Sequence, residues 1–183
     1  MLSPVVAGIF LAITALLLYA ASRPDTFRIE RSIRIAAPAA KIFPLLDDFH
    51  QWERWSPWEK PDPSLKRTFG GADSGKGATY AWVGNKKIGQ GRMTIIESTP
   101  PSHLQIQIDF MLPFEAHNRV EFILQRQSDG TLLTHAMFGP SPFISRLLGI
   151  FVSMDKMIGG HFEEGLSNLK AIAEAADDVP AHA

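Results

Sequence analysis

The chain has 183 residues, a formal net charge of −1 and no cysteine. Charges this balanced leave no basic surface to hold a phosphate backbone, so the composition argues against nucleic-acid binding. Without cysteine the chain has neither a disulfide framework nor thiolate ligands. Histidine and carboxylate residues are not clustered with the spacing of a metal site, and no dinucleotide or phosphate fingerprint is present. The sequence therefore predicts neither a metal nor a cofactor.

The first 22 residues carry no charged side chain and are almost entirely apolar. A helix over residues 4–21 would be roughly 27 Å long, close to the roughly 30 Å hydrocarbon core of a bilayer. Residues 1–22 are therefore predicted to be a retained transmembrane anchor that binds the membrane through residues 4–21. A cleavable signal peptide is the alternative, but it normally has a basic start and a shorter apolar core. Arg23, Arg28 and Arg31 follow the segment among acidic residues, so the side of the membrane stays open.

Residues 23–176 are predicted to form one domain, followed by a disordered tail over 177–183. Alternating apolar and polar residues predict a strand over 27–35, and Pro38 then opens a short apolar helix over 39–48. Six further strands, separated by turn residues, are predicted over 65–69, 78–83, 89–97, 103–110, 115–126 and 132–138. A long helical region over 142–174 ends the domain, interrupted at Gly159 and Gly160. Strands and helices segregated in this way indicate an α+β fold.

The strands alternate on one side only, so one face of the sheet is apolar, and the C-terminal helix is the element large enough to cover it. The stretches RSIRIAAPAAKIFPLLDDFHQWERWSPW, WERWSPWEKPDPSLKRTFGGADSGKGATYAWVGNKKIGQGRMTIIESTPPSHL and MDKMIGGHFEEGLSNLKAIAE resemble the polyketide cyclase/dehydrase and lipid-transport family. That family belongs to the SRPBCC superfamily, which also contains START domains and the birch pollen allergen. The resemblance covers residues 27–174. It implies a helix-grip fold, in which a curved seven-stranded antiparallel sheet wraps the last helix around a hydrophobic cavity.

Bulky and flexible apolar side chains are predicted to line that cavity, although the same residues would also suit a filled core. Methionine favours a ligand site because its thioether adapts to varied apolar shapes. The tryptophans at 52, 55 and 58 are expected to close one end of the cavity or to line its entrance. The predicted ligand-binding residues are Trp55, Trp82, Met93, Ile108, Phe110, Phe122, Met137, Phe151, Met154, Met157 and Phe162.

The segment 142–157 is apolar over more than one helical face, which a helix packed on one side does not need. One interpretation is that it packs against the tryptophan-rich stretch 52–58. The other is that it forms a lid or entrance that touches the bilayer, because only about five residues separate the anchor from the first strand. Gly159 and Gly160 are then either a hinge or a point of close packing against the sheet.

These features predict a membrane-anchored domain that binds or transfers a hydrophobic small molecule or lipid in a cavity between the sheet and the C-terminal helix. A cyclase or dehydrase acting on a hydrophobic substrate is the first alternative, and His161 or Asp155 would then be its acid–base groups. A membrane-tethered module that binds another protein through its apolar helix is the second. The oligomeric state stays open.

Overall fold

The alternation seen in the sequence becomes seven strands in the computed structural model, which describes residues 3–59 and 62–175. The helices are α1 (Pro4–Ser22), α2 (Ala39–Asp47), α3 (Phe143–Leu148) and α4 (Met154–Glu174), with two 3-10 helices at Phe49–Arg54 and Pro57–Glu59. The strands are β1 (Thr26–Ile35), β2 (Lys66–Gly70), β3 (Thr79–Val83), β4 (Gln90–Thr99), β5 (His103–Leu112), β6 (Ala116–Gln127) and β7 (Gly130–Pro140). The predicted tail over 177–183 lies outside the described residues.

All seven strands form one antiparallel sheet in the order β1-β7-β6-β5-β4-β3-β2. This confirms the predicted α+β helix-grip fold, and the predicted strands differ from the observed ones only at their ends. Within the described residues, α1 is the one helix long and apolar enough to cross a membrane by length and composition. Most of its side chains are exposed, and Ala20 in its last turn is buried.

The sheet has an apolar inner face and a polar outer face. Leu104, Ile106, Phe122 and Leu133 are almost completely buried on the inner face. Outer-face side chains pair with one another instead, as in the 2.7 Å contact between His117 and Asp109. The core therefore lies between the inner face and the helices that cover it.

Antiparallel pairing places the connections at two opposite ends of the sheet. At one end, here called the anchor end because it adjoins the helix predicted as an anchor, β1 begins after α1 and β7 ends before α3, and the β3–β4 and β5–β6 hairpins turn there. At the other, the far end, lie the β2–β3, β4–β5 and β6–β7 connections. This division separates two regions with different surfaces.

The predicted interruption of the C-terminal helix at Gly159 and Gly160 is wrong, because α4 runs through both glycines without a break. The break lies at residues 149–153, between Gly149 at the end of α3 and Ser153, whose side chain caps α4 by accepting a hydrogen bond from the Lys156 amide. Serine at this position satisfies one of the free amides at a helix start. Gly159 is instead a point of close packing, since a Cβ there would lie 2.1 Å from Nη2 of Arg31.

Candidate functional site

A continuous row of aromatic rings crosses the inner face. Trp52 and Trp55 each present an edge to the Phe122 ring of β6, with 6.2 Å between centroids. Phe122 stacks on His135 of β7 at 4.3 Å, and His135 stacks on Phe162 of α4 at 3.7 Å. The row joins the first 3-10 helix, the sheet and α4, so it holds the three layers in register.

The indole groups of the row are tied to the α2 backbone. Trp52 Nε1 donates to the Leu46 carbonyl at 3.0 Å, and Trp55 Nε1 donates to the Leu45 carbonyl at 2.9 Å. A buried indole needs such an acceptor. The indoles of Trp52 and Trp55 are therefore buried and held in place by α2. Trp58, in contrast, is substantially exposed.

A second aromatic group lies on the inner face nearer the anchor end. Trp82 presents its edge to Phe110 at 5.9 Å and stacks on Tyr80 at 6.1 Å. Gly91 lies between Trp82 and Phe110 in the strand register. A Cβ at Gly91 would lie 2.4 Å from Cζ2 and Cη2 of Trp82, so only glycine lets this indole lie flat across β4.

Polar side chains also occur on the largely apolar inner face. His135 and Asn118 are each only 8% exposed, and neither side chain forms a hydrogen bond with another residue of the described ranges 3–59 and 62–175. Burial lowers the pKa of His135 from 6.5 to about 3. The imidazole is therefore neutral at physiological pH, with one nitrogen that donates and one that accepts.

Arg31 fastens α4 to the β1 side of the inner face. It is the register partner of His135, and its guanidinium donates to both carboxylate oxygens of Asp155 at 3.0 Å and to Glu163 at 2.6 Å. Asp155, Gly159 and Glu163 follow one another at helical spacing, so the guanidinium lies in the space that Gly159 leaves between the two carboxylates. These contacts of Arg31 with Asp155 and Glu163 keep α4 close to β1.

The residues predicted for acid–base chemistry have separate surroundings. Asp155 is bound by Arg31, whose hydrogen bonds hold the pKa of this carboxyl below its usual value. His161 lies against the Trp58 ring, with 4.2 Å between centroids. The structure therefore does not bring His161 and Asp155 together at one site.

The structure divides the predicted ligand-binding residues into two sets. Eight of them lie buried or half-buried in the core at the inner face: Trp55, Trp82, Met93, Ile108, Phe110, Phe122, Met137 and Phe162. The other three, Phe151, Met154 and Met157, are exposed instead. Phe151 falls in the break between α3 and α4, and the buried stripe of α4 runs through Phe162, Leu166 and Leu169, which leaves the two methionines outside it.

Sequence reasoning missed two polar residues of the inner face, Asn118 and Arg31. Asn118 occupies an apolar position in the β6 alternation with Val120 and Phe122, and this interruption was the available signal. Gly139 on β7 leaves room for its amide, because a Cβ there would lie 2.2 Å from Asn118 Oδ1. Arg31 likewise occupies an inward position of β1.

A separate cleft of about 410 Å³ opens between the first 3-10 helix and strands β2 and β3. It is of mixed character, with His50 stacked on Phe69 at 4.2 Å and Arg67 3.7 Å from Glu53. None of the predicted ligand-binding residues lines it. Its lining residues are Phe49, His50, Glu53, Arg67, Phe69 and Tyr80.

The seven-stranded antiparallel sheet and its C-terminal helix form an SRPBCC-type domain, as the resemblance predicted. The model of the family described as polyketide cyclase / dehydrase and lipid transport matches residues 26–174. The chain therefore belongs to that family. None of the curated proteins matches the sequence.

Solved structures show the same fold at low identity. Protein CV1439 from Chromobacterium violaceum has a TM-score of 0.57 and 14% identity, over 83% of this chain and 99% of that one. The Aha1 dimer from Colwellia psychrerythraea has a TM-score of 0.57 and 16% identity, over 82% and 98%. The di-domain ARO/CYC BexL from the BE-7585A biosynthetic pathway has a TM-score of 0.62 and 12% identity, over 92% and 60%. Such likeness establishes the architecture and leaves the ligand to the site itself.

Proposed function

We propose that this protein is a membrane-anchored carrier or sensor that binds a hydrophobic small molecule or lipid between the sheet and α4. The observation that carries the proposal is the inner face itself, where aromatic and methionine side chains surround two polar groups, His135 and Asn118, that have no partner in the described ranges. Sites for apolar ligands are built in this way, with a largely apolar lining and few polar groups that fix orientation.

The polar pair suits a neutral ligand group. Neither side chain is used by another residue of the described ranges, so a ligand hydroxyl or carbonyl could form hydrogen bonds with both. A neutral His135 imidazole offers no full charge to a carboxylate, and the charge of Arg31 is already matched by Asp155 and Glu163. We therefore expect the protein to prefer a neutral apolar molecule with one polar group.

Membrane anchoring is proposed for α1. Its 19 residues are long and apolar enough to span a bilayer, and residues 23–25 alone connect it to β1. We assign residues 1–22 to the anchor and residues 23–176 to the binding domain. An apolar ligand would then have a short path between the bilayer and the inner face.

A cyclase or dehydrase remains the second candidate because the family description includes both activities. The acid–base groups favour it less than binding. Asp155 is held in an ion pair with Arg31, and an imidazole with a pKa of about 3 is a weak base at neutral pH.

The test is native mass spectrometry of the full chain, purified from its own membranes in mild detergent, with organic extraction of any bound compound. We expect a stoichiometric apolar mass, and uptake of dodecanol in preference to dodecanoate. The His135→Phe variant should lose the bound mass, whereas His117→Phe, the same change on the outer face, should retain it. A wild-type chain that is empty and takes up neither probe would contradict the proposal.

A further inference from the structure

Exposed apolar side chains are concentrated at the anchor end of the domain. Outside α1, thirteen large hydrophobic side chains of the described residues are exposed, and nine of them lie on the two hairpins of this end or on α3 and the loop that follows it. Phe114 is 81% exposed and Phe151 is 72% exposed. Isolated apolar residues on a surface are ordinary, but a group collected at one end marks an interaction site.

The α3 helix is fixed to the end of α1. Nη1 of Arg146 donates to the Ala21 carbonyl at 3.2 Å and to the Arg23 carbonyl at 3.0 Å. These are carbonyls at the C-terminus of α1, where a cation is favourable and the helix itself supplies no N–H donor to the last carbonyls. Ala20 is fully buried at the same junction. The last turn of α1 therefore packs against the domain and sets the orientation of α3.

We propose that the anchor end docks on the bilayer, with α3, the loop 149–153 and the β5–β6 hairpin inserting apolar side chains at the level of the lipid headgroups. This inference rests on the proposed membrane anchoring by α1. The apolar docking residues are Met111, Leu112, Phe114, Ile144, Leu148 and Phe151.

The bilayer is the partner that this apolar surface fits, because the surface is continuous with α1, the proposed membrane-spanning helix. Residues 23–25 reach at most about 10 Å when fully extended, so the domain end next to them lies at the headgroups. Side chains that contact a membrane surface bury themselves about 5–10 Å into the boundary between headgroups and acyl chains. Lys86 and Lys87 are exposed in the β3–β4 hairpin of the same end, where ammonium groups favour headgroup phosphates.

Docking at this end would also place the proposed ligand site next to the bilayer. Trp82 and Phe110 of the inner face directly precede the exposed Val83 and Met111 in their strands. The anchor-end half of the inner face is therefore the half that would meet the bilayer, and an apolar ligand would pass between lipid and site without crossing water.

The absence of cysteine makes a direct test possible in the full chain. Single variants Phe114→Cys and Phe151→Cys place a nitroxide at the anchor end, and the matched controls Ser74→Cys and Ser128→Cys place it at exposed sites of the far end. Each chain is reconstituted in vesicles of phosphatidylcholine with a minority of phosphatidylglycerol. Relaxation of the nitroxide by oxygen, which concentrates in lipid, is compared with relaxation by a water-soluble nickel chelate.

We expect oxygen to dominate at the two anchor-end sites and the nickel chelate to dominate at the two far-end sites. Equal nickel accessibility at all four sites would overturn the proposal, since the domain would then stand away from the bilayer. Low accessibility to both reagents at the anchor end would also overturn it, because a second copy or another protein would cover the patch.

Flotation of the same vesicles at alkaline pH separates this proposal from the one on which it rests. A chain that floats but shows water-exposed anchor-end labels has an anchor without docking. A chain that does not float has no anchor, and both membrane proposals fail together. Ligand binding is read independently from the extracted mass.

Discussion

The two ends of the sheet are built from the same strands but have different surfaces. At the far end, side chains close the fold: Ser98 Oγ donates to Asp47 at 2.8 Å, Lys170 Nζ donates to the Arg34 carbonyl at 2.8 Å, and Glu174 accepts from the Ala36 amide at 2.6 Å. At the anchor end, large apolar groups are left exposed instead. One end of the domain is therefore closed by polar contacts, whereas the other leaves an apolar surface free for the docking proposed above.

The largest expected effect is a difference in stability between alanine variants of two phenylalanines, one buried and one exposed. Phe122→Ala removes the centre of the aromatic row, where the side chain is fully buried, and should lower the free energy of unfolding by about 3–5 kcal/mol. Phe114→Ala at the anchor end should change it by less than about 0.5 kcal/mol, because that side chain loses few contacts. Urea unfolding of both variants measures the contrast. Equal losses would mean that the anchor end is as well packed as the core.

The pH dependence of stability should reflect the lowered pKa of His135. Its pKa is about 3 in the folded chain and 6.5 without burial. The unfolded state therefore binds the proton first as the pH falls, and the contribution of His135 is complete above pH 6.5. It should be lost at up to about 1.4 kcal/mol per pH unit between pH 6.5 and 3.

The matched variant for this prediction is His135→Phe, which keeps an aromatic ring between Phe122 and Phe162. The difference in unfolding free energy between wild type and variant should grow as the pH falls from 6.5, since other titrating groups are common to both. At pH 7 the variant should be at least as stable as wild type, because a polar group without a protein partner has been replaced by an apolar ring of similar shape. A difference that does not change with pH would contradict the burial of a neutral imidazole.

Alanine substitutions at two glycines should change the stability of the fold in opposite directions. Gly91→Ala places a Cβ against the Trp82 ring and the Asp109 carbonyl, within 2.4 and 2.6 Å, and overpacking of this kind costs about 1–3 kcal/mol. Gly160→Ala adds a methyl group to α4 where nothing lies within 4 Å, and should stabilise the helix by about 0.5–1 kcal/mol. Thermal unfolding of the pair shows whether the indole is held flat on β4.

The smallest effect is expected at the junction of α1 and α3. Arg146→Ala removes the hydrogen bonds to the Ala21 and Arg23 carbonyls and should cost about 1 kcal/mol of unfolding free energy or less. Hydrogen exchange at the α3 amides should accelerate, while exchange in β5 and β6 stays unchanged. An unchanged rate in α3 would mean that the junction does not depend on this side chain.

Local patterns predicted the fold, and long-range contacts decided the parts that were missed. The alternation of β5 and β6 was enough to place both strands and their apolar face. Gly159, in contrast, suggested an interruption because nothing near it in sequence shows that Arg31, on the first strand, fills the space beside it. The exposure of Phe151 likewise depends on where α3 ends against α1.

Within the site, the apolar residues were easier to predict than the polar ones. Met93 and Met137 followed from strand periodicity. Asn118 was passed over because one amide in an apolar strand pattern is a weak signal until its burial is known. The position of His135 between the Phe122 and Phe162 rings emerged only from the pairing of β6 with β7 and the packing of α4.

Binding of an apolar ligand to the inner face can be observed by methionine methyl NMR. The chain has six methionines, of which Met93 and Met137 are buried at the inner face while Met111, Met154 and Met157 are exposed. The full chain, labelled with ¹³C at its methionine methyl groups in phosphatidylcholine nanodiscs, is titrated with dodecanol. Saturable shifts of Met93 and Met137 are predicted. Shifts confined to the exposed methionines would contradict binding at the inner face.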